Sequence, residues 1–192
     1  MRRHFISGAI AILALGTIAI PGSADANGPH SRRVRLLDNC DPATFNAAIP
    51  SPPGQPPICI PHGHGRTTTF DEFLAELNPV DFGHEKWKNK PDELDLNVGD
   101  SIKAVVRGGE FHTFTKVDEF GPGCVPELNG PLGLTGPPAS DCAKILDSGV
   151  LPNGLSTLTV SGLDPGTYKF MCLIHPWMRT VVTVEGDEED DD

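Results

Sequence analysis

Residues Tyr168 to Val184 alternate in a way that fits two strands joined by a short loop. Tyr168, Phe170 and Cys172 share one parity, so on a strand they point to one face and place two aromatics under the thiol. Met178, Val182 and Val184 repeat this on the far side of the loop. Leu163-Asp-Pro-Gly166, just upstream, carries both Pro and Gly and reads as a turn. The chain between the strands, Cys172-Leu-Ile-His175-Pro-Trp-Met178, is therefore a connection at one end of a sheet. It presents a thiol, an imidazole and a thioether within a few residues.

That donor set narrows the chemistry. His112, on Glu110-Phe-His-Thr-Phe114, supplies a second imidazole from another strand. Two His and one Cys with a weak, long axial Met suit copper that passes single electrons: sulfur favours Cu(I), and imidazole serves both oxidation states. Taken singly, Cys172 reads as a small buried hydrophobe, His175 as a surface imidazole and Met178 as core filler. Their joint spacing after an apolar strand reverses that reading. Zinc would accept the Cys and both His but gains little from a thioether. A Cys–His nucleophile pair would need an oriented third group, and no candidate stands out.

The segment resembles the C-terminal ligand loop of cupredoxins. Its short spacing, with Arg179 and a Val-rich strand after it, is most similar to amicyanin; plastocyanin and pseudoazurin have a longer His-to-Met spacing. The resemblance spans about Trp87 to Glu185. It implies an all-β, cupredoxin-like Greek-key β-sandwich holding one type 1 (blue) copper ion near one end. His112, Cys172 and His175 would be the equatorial ligands and Met178 the axial one. It also implies an electron carrier rather than an enzyme, serving a redox partner protein. His175, between Pro176 and Trp177, would show a ring edge at the surface as the electron port. Many members carry Asn after the first His, where this chain has Thr113. The alternative reading is a periplasmic carrier or store delivering copper to a cuproenzyme. A structural module with an incidental metal is disfavoured by the presence of all four donors.

The N-terminus reads as an export signal over residues 1–26. Arg2 and Arg3 precede an apolar run, Ala9 to Ile20, too short for an ordinary membrane span, and Ala24-Asp-Ala26 is a small-x-small cleavage site. Met1 to Ile6 partly resembles a twin-arginine signal, beside ordinary secretion. A periplasmic or secreted chain from Asn27 is expected, with no further membrane span and no oligomer beyond a monomer. Five cysteines agree with export. If metal holds Cys172, then Cys40, Cys59, Cys124 and Cys142 allow three pairings, and proximity favours Cys40–Cys59 and Cys124–Cys142. Each closure would contribute about 3 kcal/mol.

The formal charge is −11, and loss of Arg2, Arg3 and Asp25 would leave −12. Glu185 to Asp192 alone holds seven acids. Residues 186–192 read as a solvated acidic tail, or as a steering element for a basic partner. No basic patch is visible, which argues against nucleic acid.

Residues 27–84 read as a disulfide-stapled extension, irregular to Arg66. One short helix follows, opened by the capping box Thr69-Phe-Asp-Glu72 and faced by Phe70, Phe73, Leu74 and Leu77. Residues 85–185 form the cupredoxin domain. Leu94, Leu96 and Val98 alternate, Gly99-Asp100 turns the chain, and Ile102, Ala104 and Val106 alternate on the way back. Gly108-Gly109 releases the chain before the His112 strand. Lys116 to Leu155 is a long connection whose Leu128, Leu132 and Leu134 cover either the metal end or the sandwich. His62-Gly-His64 reads as two exposed loop imidazoles, and His84 has no evident ligand partner.

Overall fold

The computed structural model describes residues 29–63, 65–80 and 82–186. The expected export signal over residues 1–26, His64 and the acidic residues from Asp187 lie outside them. Among the described residues ten strands run in chain order: β1 (Ser31–Leu37), β2 (Lys88–Lys90), β3 (Glu93–Asn97), β4 (Ser101–Arg107), β5 (His112–Thr113), β6 (Thr115–Val117), β7 (Gly149–Val150), β8 (Leu158–Val160), β9 (Gly166–Met171) and β10 (Arg179–Glu185). One sheet has the order β2-β1-β4-β8 and the other β3-β10-β9-β6, while β5 and β7 pair as a small ribbon. Val34, Leu36, Ile102, Ala104 and Val106 from the first sheet join Leu94, Leu96, Phe170, Val182 and Val184 from the second in one buried core. Phe114 and Phe170 stack with centroids 4.5 Å apart within it. Among the described residues no helix is long and apolar enough to cross a membrane.

Two local readings change. β3 and β4 do not form a hairpin. β3 pairs in parallel with β10, and β4 in parallel with β1, so the turn at Gly99 (φ 88°) carries the chain from one layer to the other. Alternation says which side chains face inward and not which strands are neighbours. Residues 31–37, taken as irregular, are a strand at the centre of a sheet: Val34 and Leu36 point in while Arg33 and Arg35 point out.

The described residues before β2 also hold two helices where one was expected. α1 (Pro42–Ala48) starts at Asp41, whose Oδ1 accepts from the Thr44 N–H at 2.9 Å, with Pro42 in the first turn. α2 (Phe70–Glu76) has the expected capping box: Thr69 Oγ1 accepts from Glu72 N–H and Glu72 Oε2 from Thr69 N–H. A third helix, α3 (Pro126–Asn129), lies in the long connection. There Leu132 is buried against the core, with Leu128 and Leu134 beside it. The Asn129 amide brackets both backbone groups of Gly123, and Cys124 N–H donates to Leu173 O. The connection thus packs on the sandwich and on the donor loop together.

Cys40–Cys59 and Cys124–Cys142 are disulfides, and Cys172 is free and buried. Unreduced, metal-free protein is expected to titrate one thiol after unfolding. Replacing Cys40 and Cys59 together by Ser should lower the urea-derived stability by about 3 kcal/mol, since the bridge spans 19 residues. Two or more thiols in the wild type would contradict this pairing.

Candidate metal centre

β5 and the β9–β10 loop deliver the donors to one end of the sandwich. The loop is held tight by two backbone bonds, Cys172 N–H to Met178 O at 3.0 Å and Met178 N–H to His175 O at 2.9 Å. Cys172 Sγ lies 3.7 Å from His112 Nδ1 and 3.9 Å from His175 Nδ1, and the two nitrogens are 3.3 Å apart. A triangle of those sides has its centre about 2.1 Å from each corner, within the range of about 2.0–2.3 Å for metal bonds to imidazole and thiolate. The three side chains are buried, as is Met178 in the same loop. Two nitrogens and a sulfur at that separation fit a thiophilic transition metal such as copper.

Thr113 links the two donor segments where many cupredoxins carry Asn. Its N–H points at Cys172 Sγ at 3.4 Å, and its hydroxyl accepts from Leu173 N–H at 2.8 Å. Thr115 donates to that same hydroxyl at 3.0 Å, which fixes its orientation.

Sequence reasoning missed two buried carboxylates. Asp38 Oδ2 lies 2.9 Å from His112 Nε2, and the carboxylate also accepts from the N–H groups of Gly109 (2.7 Å) and Glu110 (3.3 Å). Glu110 accepts from the Trp87 indole and lies 3.8 Å from His175 Nε2. A carboxylate hydrogen-bonded to the far nitrogen of an imidazole, as Asp38 is to His112, orients the ring with its other nitrogen toward the centre. The signal for Asp38 was Gly108-Gly109. A Cβ on Gly108 would overlap the Asp38 carboxylate, and one on Gly109 would press on Ile60 O and Cys40 Sγ. The glycines permit close approach and do not merely release the chain.

Burial opposes charge on all of these groups, and pairing decides the outcome. His112 is desolvated, yet Asp38 and the Cys172 sulfur push it up to about 10. The Cys172 thiol, equally desolvated, is held well below its ordinary range by the two imidazoles. Asp38 ends below the usual carboxylate range despite burial, through His112 and its backbone donors. Burial leaves Glu110 raised. A thiolate already favoured without metal is the form a metal requires.

The exposed port implied for His175 is not present. His175 is 3% exposed and Trp177 8%. Phe73 of α2 meets the His175 ring edge-on at 6.3 Å, and Trp177 packs on it at 5.2 Å. Trp177 Nε1 donates to Trp87 O at 2.9 Å, and its indole lies against Gly83, filling the space a Cβ there would need, while the φ of 121° at Gly83 itself favours glycine. Phe73 and Gly83 come from upstream of the segment that resembles cupredoxins, so the loop alone gave no sign that Trp177 would be packed over His175. His62 and His84 stay away from the centre. His62 Nε2 bonds to Cys40 O at 2.9 Å, and His84 Nε2 lies 3.0 Å from the Glu76 carboxylate.

No protein-family model matches this chain, and no curated protein matches it. Solved structures do. A purple cupredoxin from Nitrosopumilus maritimus is similar at 14% identity and a TM-score of 0.38, over 80% of this chain and 99% of that one. A point variant of amicyanin in its reduced state is similar at 25% identity and a TM-score of 0.31, over 49% of this chain and 70% of that one. Oxidised plastocyanin from Dryopteris crassirhizoma is similar at 18% identity and a TM-score of 0.34, over 52% and 89% respectively.

Proposed function

We propose that this chain is an exported type 1 copper protein that carries single electrons, with His112, Cys172 and His175 as strong ligands and Met178 as the axial one. The observation that carries the reading is the buried triangle of His112 Nδ1, His175 Nδ1 and Cys172 Sγ. Bound copper would supply a one-electron couple between Cu(II) and Cu(I). The chain's own task is to hold the donors so that neither state requires rearrangement. Thr113 ties the His112 strand to the donor loop, Asp38 locks the His112 ring, and the Phe73–Trp177 cover excludes water from His175. Such preorganisation suits electron transfer rather than bond-making on a substrate. The proposal takes residues 1–26 as an export signal, residues 186–192 as a solvated tail, and places β1 with the cupredoxin domain.

Copper-loaded, oxidised protein is expected to bind one copper and show intense visible absorption from thiolate-to-Cu(II) charge transfer. Cys172→Ser should lose that band and keep its far-ultraviolet circular dichroism. A colourless, copper-replete wild type overturns the reading. Burial of the donors favours retention, so a competing chelator should strip copper far more slowly than the site is oxidised and reduced; the reverse order would favour copper delivery.

A further inference from the structure

The outer face of the β2-β1-β4-β8 sheet is cationic, on a chain whose formal charge is −11. Because β1 and β4 bury Val34, Leu36, Ile102, Ala104 and Val106, their alternate residues Arg33, Arg35, Lys103 and Arg107 face outward. β2 adds Lys88 and Lys90 on either side of buried Asn89. No outward position on the four strands is acidic. Register sets like charges side by side: Arg33 opposite Lys103, and Arg35 opposite Lys90. Opposed like charges cost stability, and among the described residues none of these six has an ion-pair partner. Four of them, Arg33, Arg35, Lys88 and Arg107, line a groove with Lys86 and one acid, Glu85, and its floor reaches Asp38, whose carboxylate lies buried beneath. Asp38 is the carboxylate hydrogen-bonded to His112 Nε2, and His112 Nδ1 is 3.7 Å from Cys172 Sγ.

We propose that this groove docks an acidic redox partner protein and that electrons pass through Asp38 and His112 rather than past His175. The inference deepens the electron-carrier reading and rests on it. The His175 side is closed by Phe73 and Trp177, whereas the cationic groove leads to the donor set through one carboxylate and one imidazole. Fixed charge around a groove draws in and orients an opposite charge, raising encounter rates by about tenfold or more at low salt. The transfer moves one electron from the reduced site to the oxidised partner, with no bond made or broken and no proton moved.

The test uses ferricyanide as a small anionic oxidant of the reduced, copper-loaded protein. Its reduction to ferrocyanide takes one electron from each protein molecule. Net charge alone predicts a rate that rises with ionic strength, because both reactants are negative. Docking at the groove predicts a rate that falls. The double variant Arg35→Glu/Arg107→Glu should slow ferricyanide about tenfold or more, while the cationic oxidant tris(phenanthroline)cobalt(III) is not slowed and the visible band is unchanged. Lys88→Glu/Lys103→Glu should act in the same direction. A second readout needs no metal: metal-free protein should bind poly-L-glutamate in a salt-sensitive way and lose that binding in either double variant.

A wild-type ferricyanide rate that rises with salt, or one that ignores both double variants, overturns the proposal. So does a tail deletion after Gly186 that creates poly-L-glutamate binding where the full chain has none, because the tail would then be the occupant. Binding to phosphatidylglycerol vesicles without binding to poly-L-glutamate would make the face a membrane contact and overturn it as well. Absence of the visible band would sink the electron-carrier reading, while poly-L-glutamate binding would still judge the docking face by itself.

Discussion

Asp38→Ala is expected to weaken copper binding about 10–100-fold and to lower the stability of the metal-free protein by about 3–5 kcal/mol. The carboxylate is buried and accepts from three backbone N–H groups, those of Gly109, Glu110 and, at 3.5 Å, Cys40, besides His112, so its removal strands four donors. Asp38→Asn keeps one acceptor oxygen, enough for Gly109 on one side or for Glu110 and His112 on the other, and loses the charge opposite His112, so it should fall between wild type and Ala in both measurements. Chelator competition reads the affinity, and urea unfolding the stability. The pair also sets a pH signature. His112 is raised to about 10 in the folded, metal-free chain. Its contribution is therefore complete below the unfolded value of about 6.5 and is lost as pH rises through about 10. Asp38 is lowered, so its contribution is present above its unfolded value and is lost as pH falls. Metal-free wild type should thus lose stability on the alkaline side, and Asp38→Ala should show a smaller alkaline loss. Equal alkaline slopes in the two proteins would refute the pairing.

Phe73→Ala should cost about 3–5 kcal/mol, the range for a large aromatic truncated in a packed core. Phe73 lies 4.7 Å from the Trp87 ring and 5.6 Å from that of Phe45, and it is the part of α2 that meets His175. The truncation should also open His175. Copper-loaded Phe73→Ala is expected to keep its visible band but to react several-fold faster than wild type with tris(phenanthroline)cobalt(III), an oxidant that the cationic groove repels. Phe73→Leu, which refills most of the volume, should recover much of both effects. If the rate stays at the wild-type value while stability falls, α2 is structural support only and His175 is shielded by Trp177.

These two residues mark the limit of what the primary structure revealed. The donor loop was legible because its determinants are local. Parity placed Phe170 and Cys172 inward, and the short Cys172-to-His175 spacing put on one loop two of the three side chains that meet when His112 arrives across the sandwich. The capping box at Thr69 and the two disulfides were legible for the same reason, each closing within 19 residues. Asp38 was not, because 74 residues separate it from His112 and nothing in Leu37-Asp-Asn-Cys40 marks a carboxylate bound for the core. Nor was the cover on His175, where Phe73 arrives from a helix outside the segment that carries the family likeness.

The cationic groove is the clearest case. Arg33 and Arg35, Lys88 and Lys90, and Lys103 and Arg107 are ordinary pairs in the chain, diluted among 26 acids. Only the parallel pairing of β1 with β4 and the antiparallel pairing with β2 set them on one face. Side-chain parity is a property of each strand and can be read along the chain. Strand neighbours are chosen by the packing of the whole core, so what those neighbours assemble on the surface and behind the donors was decided by tertiary structure.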